Sequence, residues 1–422
     1  MIKKLCMILV IIVFCTMFTG CFDADEVDEL AFVVAIGIDK GKTNIARVTL
    51  QMVKPAAIGA GGQGGGEGGE KAVTVITIEA PAVISALDQA NNLVSKKIDL
   101  SHAKTMVFSR EVATEGIEAY INAFPRIREI RPNIEIIVSR DSAEEYIKAA
   151  TPILEINPAK YYELTYDTFS FTGFTESTDL HSFSWKAKSG YQSPVATLAG
   201  VSKFNNSNEI DSSASTYKEK GRPFPLEGDY KAGDLPKVGD IKAEIMGLAV
   251  FNHGKMVGEL DGEETMFHLM VGGNYEHSYV TIPDPLKNDT VVIADVFQSR
   301  KPVSKIRFDN GKPVIDVKVS LEANIYSIQS GIEYENPKNT IILEKAYEDF
   351  ILKGIEKYLN RTAQEFHSDI CGFGKIVKGR FLTWDEWEKF GWPNRYKDSR
   401  FTVNTDLKIR RTGLMVRTMP IK

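Results

Sequence analysis

The sequence predicts an α/β protein of the α+β type, with several domains, each a mixed or antiparallel β-sheet flanked by helices. Three observations carry this reading. In the first half, strand-like runs such as "AFVVAIGID" and "NIEIIVS" are interrupted by segments with helical periodicity. Ala243 to Leu260 reads as a strand pair about the turn Asn252-His253-Gly254-Lys255. Near the C-terminus, one long amphipathic stripe is followed by an alternating strand.

Taken in order, Glu29 to Gly41 is a continuous apolar run ending in the turn signal Asp39-Lys40-Gly41. In "NIARVTLQMV" the residues Ile45, Val48, Leu50 and Met52 fall mostly on one parity, so the two runs read as a β-hairpin. The stretch "GAGGQGGGEGGE", Gly59 to Glu70, formally contains G-x-G-x-x-G. A dinucleotide fingerprint needs a helix opening directly after it. Here "AVTVITIEA" follows and alternates like a strand, so residues 59–69 read as an exposed, flexible Gly-rich loop.

Val83, Leu87, Ala90 and Val94 stand at helical spacing, and Ser101 to Ser109 reads as a strand. "REVATEGIEAYINAF" reads as one helix with Ile117, Tyr120, Ile121 and Phe124 on a common face, and Asn133 to Ser139 as a strand. Ser142 with Glu145 makes a capping box for a short helix broken near Pro152. Thr165 to Lys188 is aromatic and Ser/Thr-rich, and Phe204 to Gly239 is polar and weakly periodic. Domain boundaries are placed accordingly: an N-terminal α/β domain over 21–195, a middle one over 196–300 and a C-terminal one over 301–422. "DGEETMFHLMVGG" opens a helix whose first-turn acids oppose the positive end of its dipole. Lys305 to Phe308 and Val314 to Ile325 alternate as strands. The longest helix is expected over 343–366, where Leu343, Tyr347, Ile351, Ile355 and Tyr358 belong to one apolar stripe.

The beginning of the chain reads as an export leader. Lys3 and Lys4 precede an apolar run from Leu5 to Phe18, which at 14 residues is shorter than the about 20 a membrane span needs. Phe18-Thr19-Gly20-Cys21 then places a small residue before a cysteine, as lipoprotein signal peptidase requires. Residues 1–20 are therefore read as a lipoprotein signal peptide and Cys21 as the site of a diacylglyceryl anchor. Cys6 and Cys15 lie within that leader, which leaves Cys371 as the unmodified thiol and no pair for an internal disulfide. Loss of Lys3 and Lys4 moves the formal charge from −5 to −7. Such an acidic surface argues against general nucleic-acid binding and against polybasic attachment to anionic lipid.

No enzyme is legible. The six histidines, His102, His181, His253, His268, His277 and His367, form no H-E-x-x-H, and no cysteine pair makes a zinc site. There is no G-x-S-x-G elbow, Walker A loop or kinase set. Glu263 and Glu264 are neighbours on a helix and diverge, whereas paired acid/base work needs convergence. His102 reads as a structural histidine, and Cys371 in "DICGFGK" as a small packing residue. The sequence therefore assigns no catalytic, cofactor-binding or metal-binding residue.

Three places together resemble the C subunit of spore germinant receptors, the Ger(x)C lipoprotein family. They are Gly20-Cys21 with "DEVDELAFVVAIGIDK", the stretch "LSHAKTMVFSREVATEGIEAYINAFPRIREIRPNIEIIVS", and the C-terminal "DICGFGK" with "IRRTGLM". The resemblance implies a non-enzymatic lipoprotein on the outer face of the spore inner membrane. It implies assembly with two integral-membrane subunits into a receptor that senses nutrients and triggers germination, on a fold of several α/β domains. The alternative reading is a solute-binding lipoprotein or an exported hydrolase, with its ligand held in the aromatic stretch from Phe169 to Trp185.

Overall fold

The computed structural model describes residues 29–54, 72–204 and 222–413, together with Lys220 and a few isolated positions before Glu29. Cys21, the Gly-rich loop 59–69 and Leu414–Met415 lie outside the described residues. About a third of the described residues are helix and a third strand, in two sheets flanked by helices, which is the α+β, multi-domain class that the sequence predicts.

The first sheet is built from β1 (Leu30–Lys40), β2 (Ala46–Val53), β3 (Val73–Ala80), β4 (Lys97–Asp99), β5 (Thr105–Ser109), β6 (Glu135–Ser139), β7 (Val195–Val201), β8 (Ala243–Asn252) and β9 (Lys255–Leu260). Its order is β3-β2-β1-β5-β6-β7-β8-β9, with β4 beside the start of β1. Strands β1, β5, β6 and β7 run parallel and the outer pairs antiparallel. Interposed are α1 (Val83–Asn91), α2 (Arg110–Glu115), α3 (Glu118–Ala123), α4 (Ala143–Ala149), α5 (Pro158–Tyr166), α6 (Phe169–Thr172) and α7 (Leu180–Ser189).

β1 is apolar from Leu30 to Ile38 because both of its faces are covered, as in parallel sheets generally. Val33, Ile36 and Ile38 face one core and Val34 and Ala35 the other. A bulge between Val33 and Ala35 accounts for the switch from odd to even positions. Gly37 is where α4 crosses the strand. A Cβ there would lie 2.8 Å from Ile147 Cδ1 and 3.2 Å from the Ala143 methyl.

The second sheet, β10 (His277–Asp284), β11 (Lys287–Asp309), β12 (Lys312–Ile328) and β13 (Arg400–Arg411), follows α8 (Gly262–Gly272). In β12 the residues Ile315, Val317, Val319, Leu321, Ala323 and Ile325 are buried while the alternate positions meet solvent. That pattern is the signature of a sheet covered on one face. The cover is α9 (Pro337–Gln364), which crosses from β12 to the parallel strand β13 and buries Leu343, Tyr347, Ile351, Ile355, Tyr358 and Leu359. Asn336 caps α9 and Pro337 occupies its first turn, so the helix starts before the expected Leu343. Three short helices complete this part: α10 (Phe373–Lys378), α11 (Trp384–Phe390) and α12 (Trp392–Tyr396).

Several local readings meet the structure differently. The sequence places a boundary at 195/196, yet β7 starts there and joins β6 in the first sheet, which continues to Leu260. The boundary at 300/301 falls within β11, a 23-residue strand paired along most of its length with β12. One core also includes Val195, Leu248 and Leu260 of the first sheet together with Ile315 and Ile355. Hydropathy along the chain is blind to such pairing. The helix expected over Arg110 to Phe124 is split at Gly116, whose φ of 129° ends α2. Ile45 sits exposed in the hairpin turn, and Ala46 takes the inward position. β2 and β3 pair from Val53 with Val73, so the Gly-rich segment joins a hairpin and leads into a strand.

Candidate functional site

The seam between the two sheets brings together a set of buried and half-buried polar groups from four segments. Glu176 arrives on the segment after α6, His268 on α8, Tyr358 on α9 and Cys371 on the loop before α10. His268 Nε2 lies 2.8 Å from Glu176 Oε2, and its Nδ1 lies 2.7 Å from the Tyr358 hydroxyl. The same hydroxyl is 3.1 Å from Cys371 Sγ, which stands 4.0 Å from His268 Nδ1. Burial works against the Glu176 carboxylate, but the adjacent His268 ring holds it below its ordinary range. Burial pushes the Cys371 thiol and the Tyr358 phenol well up.

A cysteine, a histidine and a carboxylate in line suggest a nucleophile and its base, and the distances decide against it. Hydrogen-bond reach for such a pair is about 2.6–3.2 Å, and the tighter partner of His268 Nδ1 is the tyrosine hydroxyl. A thiol raised by burial carries almost no thiolate at neutral pH. The set is a buried polar chain tying α8 and α9 to the Glu176 segment.

Beside it, "DICGFGK" forms a second knot. Asp369 is buried and accepts the backbone N–H groups of Gly372, Phe373 and Gly374 at 2.8, 3.0 and 2.7 Å and the Trp392 indole at 2.9 Å. Burial raises its carboxyl to about 6 against the pull of those donors. Gly372 has a φ of 77°, and a Cβ on Gly374 would lie 2.4 Å from the Tyr191 carbonyl. Phe373, between the two glycines, is buried in the core. Ser193 N–H donates to the Asp369 carbonyl and Gln192 Nε2 to the Ile370 carbonyl, which joins the knot to the approach of β7. A small cleft adjoins this knot, between Lys186, Gln192, His253, His367 and Trp392.

A third group is ionic. Lys220 meets Asp229 at 2.7 Å, Asp261 at 3.0 Å and Glu263 at 3.2 Å. Arg222 pairs with Asp229 and Glu263, and Arg361 with Glu264 at 2.6 Å. Burial opposes the Lys220 charge, but the three carboxylates outweigh it and raise its pKa. Glu263 and Glu264 thus point to different partners, as their adjacency on a helix required.

The remaining residues considered from sequence are dispersed. His102 is exposed in a turn, edge-on to Phe32 at 4.5 Å. His277 pairs with Asp295, while His253 and His367 border the small cleft. Of the aromatic stretch, Phe183 is buried against Phe251 and Trp185 packs edge-on to Tyr191. Among the described residues no group of three His, Cys, Asp or Glu side chains is placed to hold a metal ion, and no helix is long and apolar enough to cross a membrane. The Glu176–His268 pair was not found from sequence. Its signal was a histidine in the apolar run "MFHLM", which must find a partner when buried.

Residues 23–201 match the family described as spore germination protein N-terminal domain, and residues 246–413 match the one described as spore germination B3/GerAC like, C-terminal. The chain belongs to the Ger(x)C family of spore germination proteins. It is similar to spore germination protein KC of Bacillus subtilis, 28% identical over 436 aligned residues covering 100% of this chain and 98% of the relative. It is also similar to spore germination protein B3 of the same organism, at 18% identity over 93% of this chain and 94% of the relative. The crystal structure of the GerBC protein shares the fold, with a TM-score of 0.51 at 15% identity, covering 89% of this chain and 96% of that one. The seam, Asp369 and the glycines around Phe373 all lie in the family's segments or in the stretch of chain that links them.

Proposed function

We propose that the protein is a non-enzymatic subunit of a nutrient germinant receptor, a lipoprotein held on the outer face of the spore inner membrane by a diacylglyceryl group at Cys21. In this reading it assembles with two integral-membrane subunits and acts by contact with them. The observation that carries the proposal is the end-to-end similarity to spore germination protein KC, which spans both sheets and the seam between them. The seam is consistent with such a role, since its polar groups satisfy one another and stiffen the body that a partner would grip. A lipid at Cys21 would confine that body to the bilayer surface and raise its effective concentration near membrane partners.

The direct test is affinity purification of the tagged protein from detergent-solubilised spore inner membranes. Recovery of two multi-span proteins in constant proportion supports the proposal. Recovery of the tagged chain alone, under conditions that keep membrane complexes intact, refutes assembly. Acyl labelling of wild type but not of Cys21→Ala supports the anchor.

A further inference from the structure

The parallel strands β1, β5 and β6 begin at one edge of the first sheet, and the chain repeatedly returns to that edge. α4 starts at the opposite edge, where Asp39 accepts the N–H groups of Ala143 and Glu144 at 2.7 and 3.0 Å. It ends where Gln51, the partner of Ala35 in β1, reaches the Ala150 carbonyl at 3.5 Å. The residues that follow emerge at the strand-start edge: Ile153, Leu154 and Ile156 are 53, 93 and 56% exposed. On the other side of the sheet, the segment before β6 reaches the same edge, where Glu129 accepts the N–H of Leu100. That segment exposes Arg126, Arg128 and Arg131.

We infer that this edge rests on an anionic lipid surface, with Ile153, Leu154 and Ile156 entering the headgroup layer and the three arginines meeting lipid phosphates. Three exposed aliphatic side chains within four residues lose water contact only by entering an apolar phase. Arginines that reach this edge from the other face of the sheet, across from the apolar tip, are the complement of an anionic interface. The positive charge is local, for the chain as a whole is at −5. Position favours lipid over a protein groove. Glu29 precedes β1 at this edge, and Cys21 is eight residues upstream, a span of at most about 28 Å of extended chain. That last point rests on the anchor reading proposed above; the exposed tip and the arginines do not.

The full chain is labelled with an environment-sensitive fluorophore at Leu154→Cys, or at Leu382→Cys as a control, in a Cys371→Ala background. Leu382 is 98% exposed in the second half of the molecule. Labelled protein is reconstituted in phosphatidylcholine–phosphatidylglycerol vesicles carrying nitroxide lipid. The inference expects severalfold stronger quenching at 154 than at 382, and loss of most of that difference in Arg126→Gln/Arg128→Gln/Arg131→Gln. Lipidated protein that floats with vesicles but shows equal, weak quenching at both positions overturns the inference and leaves the anchor intact. Quenching at 154 in the Cys21→Ala chain supports the inference even where the anchor is lost. Failure of both chains to associate with vesicles overturns anchor and edge together. Shielding of position 154 only after membrane subunits are added reassigns the edge to protein contact and overturns the lipid inference.

Discussion

His268 on α8 and Glu176 on the segment after α6 meet at 2.8 Å with side chains 6 and 12% exposed, and Tyr358 of α9 closes the other side of the imidazole at 2.7 Å. A buried ionisable pair is worth little by comparison with a well-packed apolar pair, yet breaking it from one side is costly. His268→Ala removes the close partner of the Glu176 carboxylate, which keeps only Lys186 at 3.9 Å, and leaves the Tyr358 hydroxyl only the Cys371 sulfur; it is expected to cost about 3–5 kcal/mol. Glu176→Gln keeps an acceptor for the ring and is expected to cost less. Urea unfolding of both variants and of the double mutant measures the coupling; additive, small losses would show that the pair is not coupled.

Asp369 and the glycines make a second prediction. Gly372→Val forces a β-branched residue to a φ of 77°, and Gly374→Val drives a side chain into the Tyr191 carbonyl and the Trp392 indole. The two substitutions act by different causes, yet each is expected to lower stability by at least about 1–3 kcal/mol. Asp369→Asn retains acceptor capacity on one oxygen only and leaves buried N–H donors short of partners. Retention of wild-type melting temperature in all three variants would contradict this account of the knot.

Glu135 makes a pH prediction. Burial raises its carboxyl to about 7, with Ser177 donating a hydrogen bond that partly offsets the shift. Between the unfolded value near 4.5 and about 7 the folded state binds the extra proton, so stability falls as pH rises through that window. Glu135→Gln mimics the protonated group. It is expected to stabilise the protein by about 1–3 kcal/mol at pH 8 and to change little at pH 4.5. Equal effects at both pH values, read from denaturation midpoints, would show that Glu135 does not titrate across this range.

Cys371 is expected to be slow toward thiol reagents at neutral pH, because burial raises its pKa by more than the hydrogen bond with the Tyr358 hydroxyl at 3.1 Å lowers it. Mass spectrometry of native protein treated with iodoacetamide checks this against urea-unfolded protein. Equal labelling rates in the two states would mean that the thiol is open.

Much of this architecture is legible in the sequence wherever one residue pattern answers to one local cause. The Ser142–Glu145 capping box, the turn at Asn252 to Lys255 and the stripe of α9 are of that kind, and all three form. The domain boundaries were less legible, because sheet membership depends on pairing between residues far apart. Val195 and Val250 look alike in hydropathy whether or not their strands join. Beside the seam, two glycines on either side of Phe373 are the local mark of a tight turn. They did not disclose Trp392 as the fourth donor to Asp369, because that contact is 23 residues distant in sequence. Glu176 was hidden for the same reason, 92 residues from His268.

The central claim, that the protein serves germination as a receptor subunit working by contact, is tested most directly in spores. A strain lacking the gene, with related receptors also removed, is complemented by wild type or by Cys21→Ala, and germination is followed by loss of optical density. The account predicts no response to nutrients in the deletion strain, recovery with wild type, weak recovery with Cys21→Ala, and an intact response to a stimulus that bypasses receptors. Normal nutrient germination in the deletion strain would contradict it.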